Sequence, residues 1–419
     1  MRLVHLSDLH LGYRQYQRLT PAGINQREAD VAGTFRRAIE ATIALAPDLV
    51  LIGGDVFHTV RPTNTAIMHA FRQFSRLRTL LPNAEIVMVA GNHDTPRTAE
   101  TGCILRLFTD LGLHVVDNAP QRVHLPALGV SVLAVPDVPG VTQLALDPDP
   151  DAARNVLLLH GEVEGMLPKW AAMAERAPVE ISAEQLGAHR WDYVGLGHYH
   201  VYRRVAENAY YSGSIDYTSA NSWGELVEEL AAGLSGKGII EHDLSTGAHR
   251  FHPLPAARAL VDLEPLSGRG MAAADLDRAI RERVESVEGG IDEKIVRLVV
   301  RDVPRHVARE LDYKAIRDYK RRALHFHLDA RKPEIARVSA SGAPVRRPSL
   351  VETVESRLRE RPVEPGVDRD ALVALGLHYL READVVGAPA PVAAFDPGAD
   401  SGDPAGAAPA GGVAAGGAA

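Results

Sequence analysis

Asp48-Leu49-Val50-Leu51-Ile52-Gly53-Gly54-Asp55 sets four apolar residues in a row, then two glycines, then a carboxylate. An apolar run that short, bounded by turn residues, reads as a buried strand. It delivers the carboxylate to the strand's carboxyl end, where sites assemble in open α/β sheets. The same grammar recurs along the chain. Leu3–Leu6 leads to Asp8-Leu9-His10, Ile86–Ala90 to Gly91-Asn92-His93-Asp94, Val156–Leu159 to His160-Gly161, and Tyr193–Leu196 to Gly197-His198-Tyr199-His200. One block alone is a weak signal, because a lone histidine is more often structural and Gly-Gly-Asp can be a plain turn. The conjunction of five carries the reading.

Helical spacing fills the gaps between the early blocks. Asn25–Ala46 places Phe35, Ala38, Ile39 and Ile43 on one stripe, Thr65–Leu81 does the same with Ile67, Phe71, Phe74 and Leu77, and a further helix is expected around Ile104–Leu111. Strand and helix alternate through about residue 120, which predicts a largely parallel, helix-covered sheet. Short β runs then follow one another: Val115–Val116, Val123–Leu125, Val130–Val135, Val156–Leu159, Tyr193–Leu196, Ala209–Tyr211 and Gly238–Leu244. They predict a second, mixed or antiparallel sheet packed on the first. The fold class is α/β, a layered α/β/β/α domain over residues 1–254.

Residues 255–335 read as a small α+β module: strand Leu260–Leu263, helix Ala272–Val284, strand Ile295–Val300, helix Val307–Tyr319, strand Leu324–Leu328. A Pro-, Ser- and Arg-rich linker is expected over 336–348 and a pair of amphipathic helices over 349–385, the first opened by the capping box Ser349-Leu350-Val351-Glu352. Residues 386–419 are almost all Ala, Gly, Pro and Asp. They cannot bury enough surface to offset their ordering entropy, and a disordered tail is expected.

Composition narrows the setting. Among 419 residues, 46% are hydrophobic and 24% charged, as in an ordinary globular protein. Cys103 is the sole cysteine, so a disulfide framework and a thiolate zinc site are excluded. No signal-peptide core opens the chain and no apolar run approaches the roughly 18 residues of a membrane helix. A cytoplasmic protein with no membrane partner is expected. The net charge of −8 is uneven: between Arg297 and Arg361, 17 Lys/Arg face 9 Asp/Glu, an excess of +8 that leaves −16 elsewhere. Such a basic segment can steer a polyanion, or simply be a solvated helix face.

The donor types fit one chemistry. Asp and His with an Asn carbonyl suit borderline-hard divalent ions such as manganese, iron or zinc. Two such ions need a bridging carboxylate, can share a hydroxide nucleophile, and clamp the oxygens of a phosphate ester. A general acid must still protonate the departing oxygen, and a histidine held by a neighbouring carboxylate suits that task.

The ordered set D-x-H, G-D, G-N-H-D, H, G-H-x-H resembles the calcineurin-like metallophosphoesterase superfamily. Asp55-Val56-Phe57-His58, the opening Leu6-Ser7-Asp8-Leu9-His10-Leu11-Gly12, and Tyr211-Ser212-Gly213-Ser214-Ile215-Asp216 with Thr218-Ser219 and Trp223-Gly224-Glu225 resemble its DNA-repair nuclease branch, the nuclease subunits of SbcC–SbcD-type complexes. The resemblance covers about residues 1–330 and extends only loosely to the helices after Ser349. It implies that Asp8, His10 and His200 hold one ion and Asn92, His160 and His198 the other, with Asp55 bridging. It further implies that His93 is the proton donor to the leaving oxygen or a transition-state contact, with Asp94 orienting its ring, and that His58 stabilises the scissile phosphate. Two divalent ions, manganese foremost, are the implied cofactors. The implied partners are DNA, held by the module at 255–335, a coiled-coil ATPase of the SbcC type docking on the helix pair at 349–385, and a second copy meeting Thr65–Leu81 and Ile104–Leu111, whose apolar stripes sheet packing explains equally well.

A metal-dependent DNA exonuclease and endonuclease in double-strand-break repair is therefore the first expectation. The rivals are a small-molecule phosphodiesterase of the same superfamily and a DNA-end-binding scaffold with a vestigial site. The intact ligand set weighs against the scaffold. No G-x-x-x-x-G-K-[ST] loop is present, so any nucleotide-driven motor must be another polypeptide. His5, His69, His114, His124, His325 and His327 match no block and read as structural, the last two alternatively as phosphate-facing.

Overall fold

The computed structural model describes residues 1–96, 102–138, 146–166, 177, 179–333, 350–361 and 368–385. The expected linker and tail lie outside these residues. The chain divides into two compact units, 1–334 and 335–419.

Two six-stranded mixed sheets form the body of the first unit. One runs, edge to edge, His249–Pro253, Gly238–Asp243, Arg2–Leu6, Leu49–Ile52, Glu85–Val89 and His114–Val116. Its last four strands are parallel, with Leu3 opposite Leu49 and Val50 opposite Ile86. The other runs Arg203–Ala206, Ala209–Tyr211, Tyr193–Gly197, Arg154–His160, Val130–Val135 and Gln121–Leu125. Its four inner strands are parallel and its two outer ones antiparallel. Leu3, Leu51, Val87, Val132, Leu158 and Ile240 close the space between the sheets. The far face of the first sheet packs on helices Gln26–Leu45 and Asn64–Leu80 through Phe35 and Phe74, joined by Phe108 of the segment Ile104–Leu111. These layers place the carboxyl ends of both sets of parallel strands at one rim.

Four elements depart from the sequence expectations. Gly238–Asp243, expected in the second sheet, pairs antiparallel with Arg2–Leu6 in the first, as His114–Val116 joins Glu85–Val89 there. The reason is the bare edge: without a neighbour, Arg2–Leu6 would expose a row of unpaired backbone groups. The helix at Ile104–Leu111 is a 3-10 helix, ended by left-handed Gly112. The helix expected over Val307–Tyr319 is two, Arg305–Glu310 and Tyr313–Arg322. Leu311 is extended and the Asp312 carboxylate accepts from Lys314 N and Ala315 N, so the aspartate starts a new helix instead of continuing the old one.

Residues 260–330 build a three-stranded parallel sheet, Leu260–Ser267, Ile295–Arg301 and His325–Ala330, with helices packed over Leu276, Ile280, Ile316 and Phe326. It is tied to the body at specific points. His325 stacks on Tyr16 at 4.0 Å, Arg258 Nε donates to Asp30 at 3.1 Å, Arg18 pairs with Glu293 at 2.8 Å, and Arg297 lies 4.7 Å over the Trp223 ring. In the second unit, helices Leu350–Glu360 and Arg369–Val385 pack on each other, Leu358 filling the space a side chain at Gly376 would need. Among the described residues no helix is long and apolar enough to cross a membrane.

Polar rings punctuate the inter-sheet core. His5 is fully buried with Nδ1 3.1 Å from Tyr193 Oη, and His249 stacks on Tyr210 at 3.8 Å. Burial, with the neighbouring His249, pushes the His5 pKa down to about 3, and burial, with His242 beside it, pushes His249 to about 4. Both rings are neutral in the folded protein at neutral pH. The unfolded chain takes up protons near pH 6.5 that the folded one refuses, so this contribution is complete above 6.5 and lost as pH falls toward 4. In chelator, the urea midpoint is expected to decline over that window, and less steeply in His5→Leu. An equal slope in both proteins would count against a buried neutral His5.

Candidate metal centre

All five blocks meet at the shared rim. Asp8 and His10 follow Arg2–Leu6, Asp55 follows Leu49–Ile52, and Asn92, His93 and Asp94 follow Glu85–Val89. From the other sheet, His160 ends Arg154–His160, and His198 and His200 follow Tyr193–Gly197. The side chains of Asp8, His10, Asp55, His160, His198 and His200 are all buried. Asp8, His10, Asp55 and His198 adopt positive φ of 53°, 45°, 50° and 103°. Such left-handed backbone costs on the order of 1–3 kcal/mol per residue and concentrates at functional sites. It turns each side chain inward as soon as its strand ends.

Glycines let the two sheets approach. A Cβ on Gly197 would overlap the Gly53 carbonyl oxygen across the sheets, and within the first sheet's own rim one on Gly91 would overlap Asp55 Oδ1.

Asp55 is the hub. Its Oδ2 lies 3.8 Å from His10 Nε2 and 3.5 Å from His160 Nε2, and its Oδ1 accepts from His93 N at 2.9 Å. The two longer distances exceed a hydrogen bond, and Asp55 would be placed to help hold divalent cations on either side of it. On one side His10 Nε2 and His200 Nε2 face each other at 3.0 Å, with Asp8 Oδ1 4.0 Å from His200 Nε2. On the other, Asn92 Oδ1 lies 3.2 Å from His160 Nε2 and 3.3 Å from His198 Nδ1. Asp8, His10 and His200 converge as a possible ligand group, as do Asp8, Asp55 and His160. The donors therefore fit two divalent cations.

Neighbours fix the donors. Asp8 accepts from Ser7 Oγ at 2.5 Å and from His198 N at 3.1 Å, and His160 donates through Nδ1 to Gly53 O at 2.6 Å, which points its Nε2 inward. Burial raises the Asp8 pKa, opposed by His200 and His160. Burial drives the His10 pKa well down, aided by the other imidazoles. For His160 burial acts downward too, but the Asp55, Asp8 and Asp137 carboxylates outweigh it and the pKa rises.

His58 and His93 form the outer lip. Their rings stack at 5.2 Å, His58 Nδ1 lies 3.3 Å from His10 Nδ1, and His93 donates through Nδ1 to His58 O at 2.8 Å. The expected role of Asp94 is therefore revised. Its buried carboxylate accepts from Val56 N, Phe57 N and Gly91 N at 3.0, 3.0 and 3.2 Å, so it braces the turn that carries Asp55. The His93 ring is held by the His58 carbonyl. Burial, then the Asp55 charge, raises the Asp94 pKa to about 7.

Three polar residues outside the expected set complete the site. Ser7 holds Asp8, as described. Glu225 Oε1 lies 3.3 Å from His200 Nδ1, and Lys237 Nζ reaches Glu225 at 2.5 Å and His200 O at 2.7 Å. Burial alone would raise the Glu225 pKa, but Lys237 and His200 hold it down to about 2. The advance signal was the resemblance itself, whose segments Leu6-Ser7-Asp8 and Trp223-Gly224-Glu225 contain Ser7 and Glu225 without assigning either a role. Of the histidines read as structural, His69 Nε2 meets Ala32 O, His114 meets Glu85, and His124 meets Asp149.

Residues 1–202 match the family model for calcineurin-like phosphoesterases, and the chain carries a domain of that class. Similar curated proteins include several from archaea, each named DNA double-strand break repair protein Mre11. That of Sulfolobus acidocaldarius is 28% identical over 207 residues, 47% of this chain and 52% of the relative. That of Methanocaldococcus jannaschii is 27% identical over 258 residues, 58% and 63% respectively. That of Methanosarcina mazei is 23% identical over 362 residues, 76% and 55%. The chain spans about half to just under two thirds of the length of these relatives.

Gly197→Ala tests how tightly the rim is packed. Displacing the second sheet's donors by about 1 Å is expected to cost roughly a hundredfold in metal-dependent phosphodiester hydrolysis. Wild-type rates from a folded Gly197→Ala protein would show that the close approach is dispensable.

Proposed function

We propose that the protein is a manganese-dependent DNA nuclease that hydrolyses phosphodiesters at DNA ends in double-strand-break repair, working in the cytoplasm with a coiled-coil ATPase and as a homodimer. The observation that carries the hydrolytic part is the position of Asp55 Oδ2 between the two donor groups. When bound, the two divalent cations would lower the pKa of a shared water and offset the charge building on the phosphate. Asp8, His10 and His200 would hold one, Asn92, His160 and His198 the other, and Asp55 both.

The remaining work falls to the chain's own groups. His93, with Nδ1 committed to the His58 carbonyl, presents Nε2 as the atom that carries a proton for the departing oxygen. His58, stacked beside it, offers its ring to the non-bridging phosphate oxygens. Tyr16, Arg18 and Arg258 tie the module at 260–330 to the body, which supports its role as the surface that holds a duplex over the rim. The names of the similar proteins, and the excess of +8 between Arg297 and Arg361, favour DNA over a small ester. Helices Leu350–Glu360 and Arg369–Val385 are the proposed ATPase contact, and the helix Asn64–Leu80, with Met68 and Leu80 about half exposed, the proposed dimer contact.

Linear duplex DNA is expected to be degraded with manganese and spared with chelator. Hydrolysis of cyclic nucleotides with none of DNA would instead favour the small-molecule reading. His93→Ala should lower cleavage by about 10²–10⁴-fold and leave DNA binding in a gel-shift assay intact. Loss of binding in step with cleavage would remove His93 from the chemistry. Deleting residues 349–385 should abolish co-purification with the ATPase while manganese-dependent cleavage persists. Continued association would place the contact elsewhere.

A further inference from the structure

Helix Ser222–Ala231 is inside out. Its buried face carries Glu225 and Glu229, 1% and 2% exposed, whereas Val227 and Leu230 on its outer face are 56% and 66% exposed. Burying carboxylates is unfavourable unless each is paired, so this face needs a cause other than solubility or core packing. The partner is Lys237, 5% exposed, whose Nζ lies 2.5 Å from Glu225 and 2.8 Å from Glu229 while donating to His200 O at 2.7 Å. Tyr217 Oη donates to Glu229 at 2.6 Å. Two carboxylates against one ammonium leave one net negative charge behind His200, and Glu225 Oε1 faces that ring's Nδ1 at 3.3 Å. His160, by contrast, is backed by a neutral group, the Gly53 carbonyl, at 2.6 Å.

We propose that Glu225 is a positioning residue that sets the affinity of one cation position, that of Asp8, His10 and His200, and leaves the Asn92, His160 and His198 position untouched. A carboxylate on the far nitrogen of a ligand imidazole fixes the ring's orientation and raises its basicity. Lys237 keeps Glu225 in place and prevents two buried carboxylates from repelling each other. Glu229 completes the lysine's pairing without reaching the imidazole. This rests on the reading of the rim as a two-cation centre.

The test is calorimetric titration of manganese into the full chain, with no nuclease assay needed. The wild type should bind in two steps. Glu225→Gln should weaken one of them about 10–100-fold and leave the other unchanged, while Glu229→Gln, one helical turn away on the same lysine, should leave both unchanged. Equal losses in the two variants, or loss of both steps together in Glu225→Gln, would reduce Glu225 to a structural residue and overturn the proposal. Should Glu225→Gln not fold, Glu225→Asp must show the same one-sided weakening, since it keeps the charge but shortens the reach; two intact steps there overturn the proposal as well. A wild type that binds no manganese overturns the two-cation reading itself and the proposal with it, an outcome distinct from two intact steps in the variants.

Discussion

One carboxylate oxygen lies between two donor clusters, each drawn from both sheets. Asp55 Oδ2 stands between His10 of the first sheet and His160 of the second, at 3.8 and 3.5 Å. Much else follows from that placement. The parallel strands of both sheets must end at one rim, with glycines at 53, 91 and 197 where backbones nearly touch. Asp8, His10, Asp55 and His198 must accept left-handed backbone so their side chains turn inward at once. Groups that bear no ligand role then secure the strained positions: Asp94 through three amides, Ser7 through Asp8, and Glu225 with Lys237 behind His200.

The strand-then-donor grammar made the site legible in the sequence, because strands put consecutive donor blocks at one edge whatever the loops do. Asp8, His10, Asp55, Asn92, His160, His198 and His200 do come together, with His58 and His93 beside them. Adjacency in sequence misled at Asp94. Consecutive residues point in different directions, and this carboxylate is consumed by the amides of Val56, Phe57 and Gly91. Glu225 was hidden for the opposite reason. It stood within the Trp223-Gly224-Glu225 segment with no role attached, because its contacts with Lys237 and His200 are tertiary and local spacing does not encode them.

The same balance holds for the fold. Periodicity located the βαβαβα half because its strands are buried runs and its helices carry wide apolar stripes. It could not say which sheet Gly238–Asp243 would join, since that is decided by the vacant edge of Arg2–Leu6. Nor does an apolar stripe reveal a break such as the one at Leu311 and Asp312, where a side chain caps the backbone and restarts the helix.

That edge pairing also fixes an order of events during synthesis. Arg2–Leu6 leaves the ribosome long before its antiparallel neighbour, Gly238–Asp243, which emerges more than two hundred residues later. Asp8 and His198 are separated almost as far along the chain and share a hydrogen bond. Closing contacts of such long sequence separation is slow. The nascent chain therefore carries an open sheet edge for much of its translation, and its donor cluster assembles only after both sheets have docked.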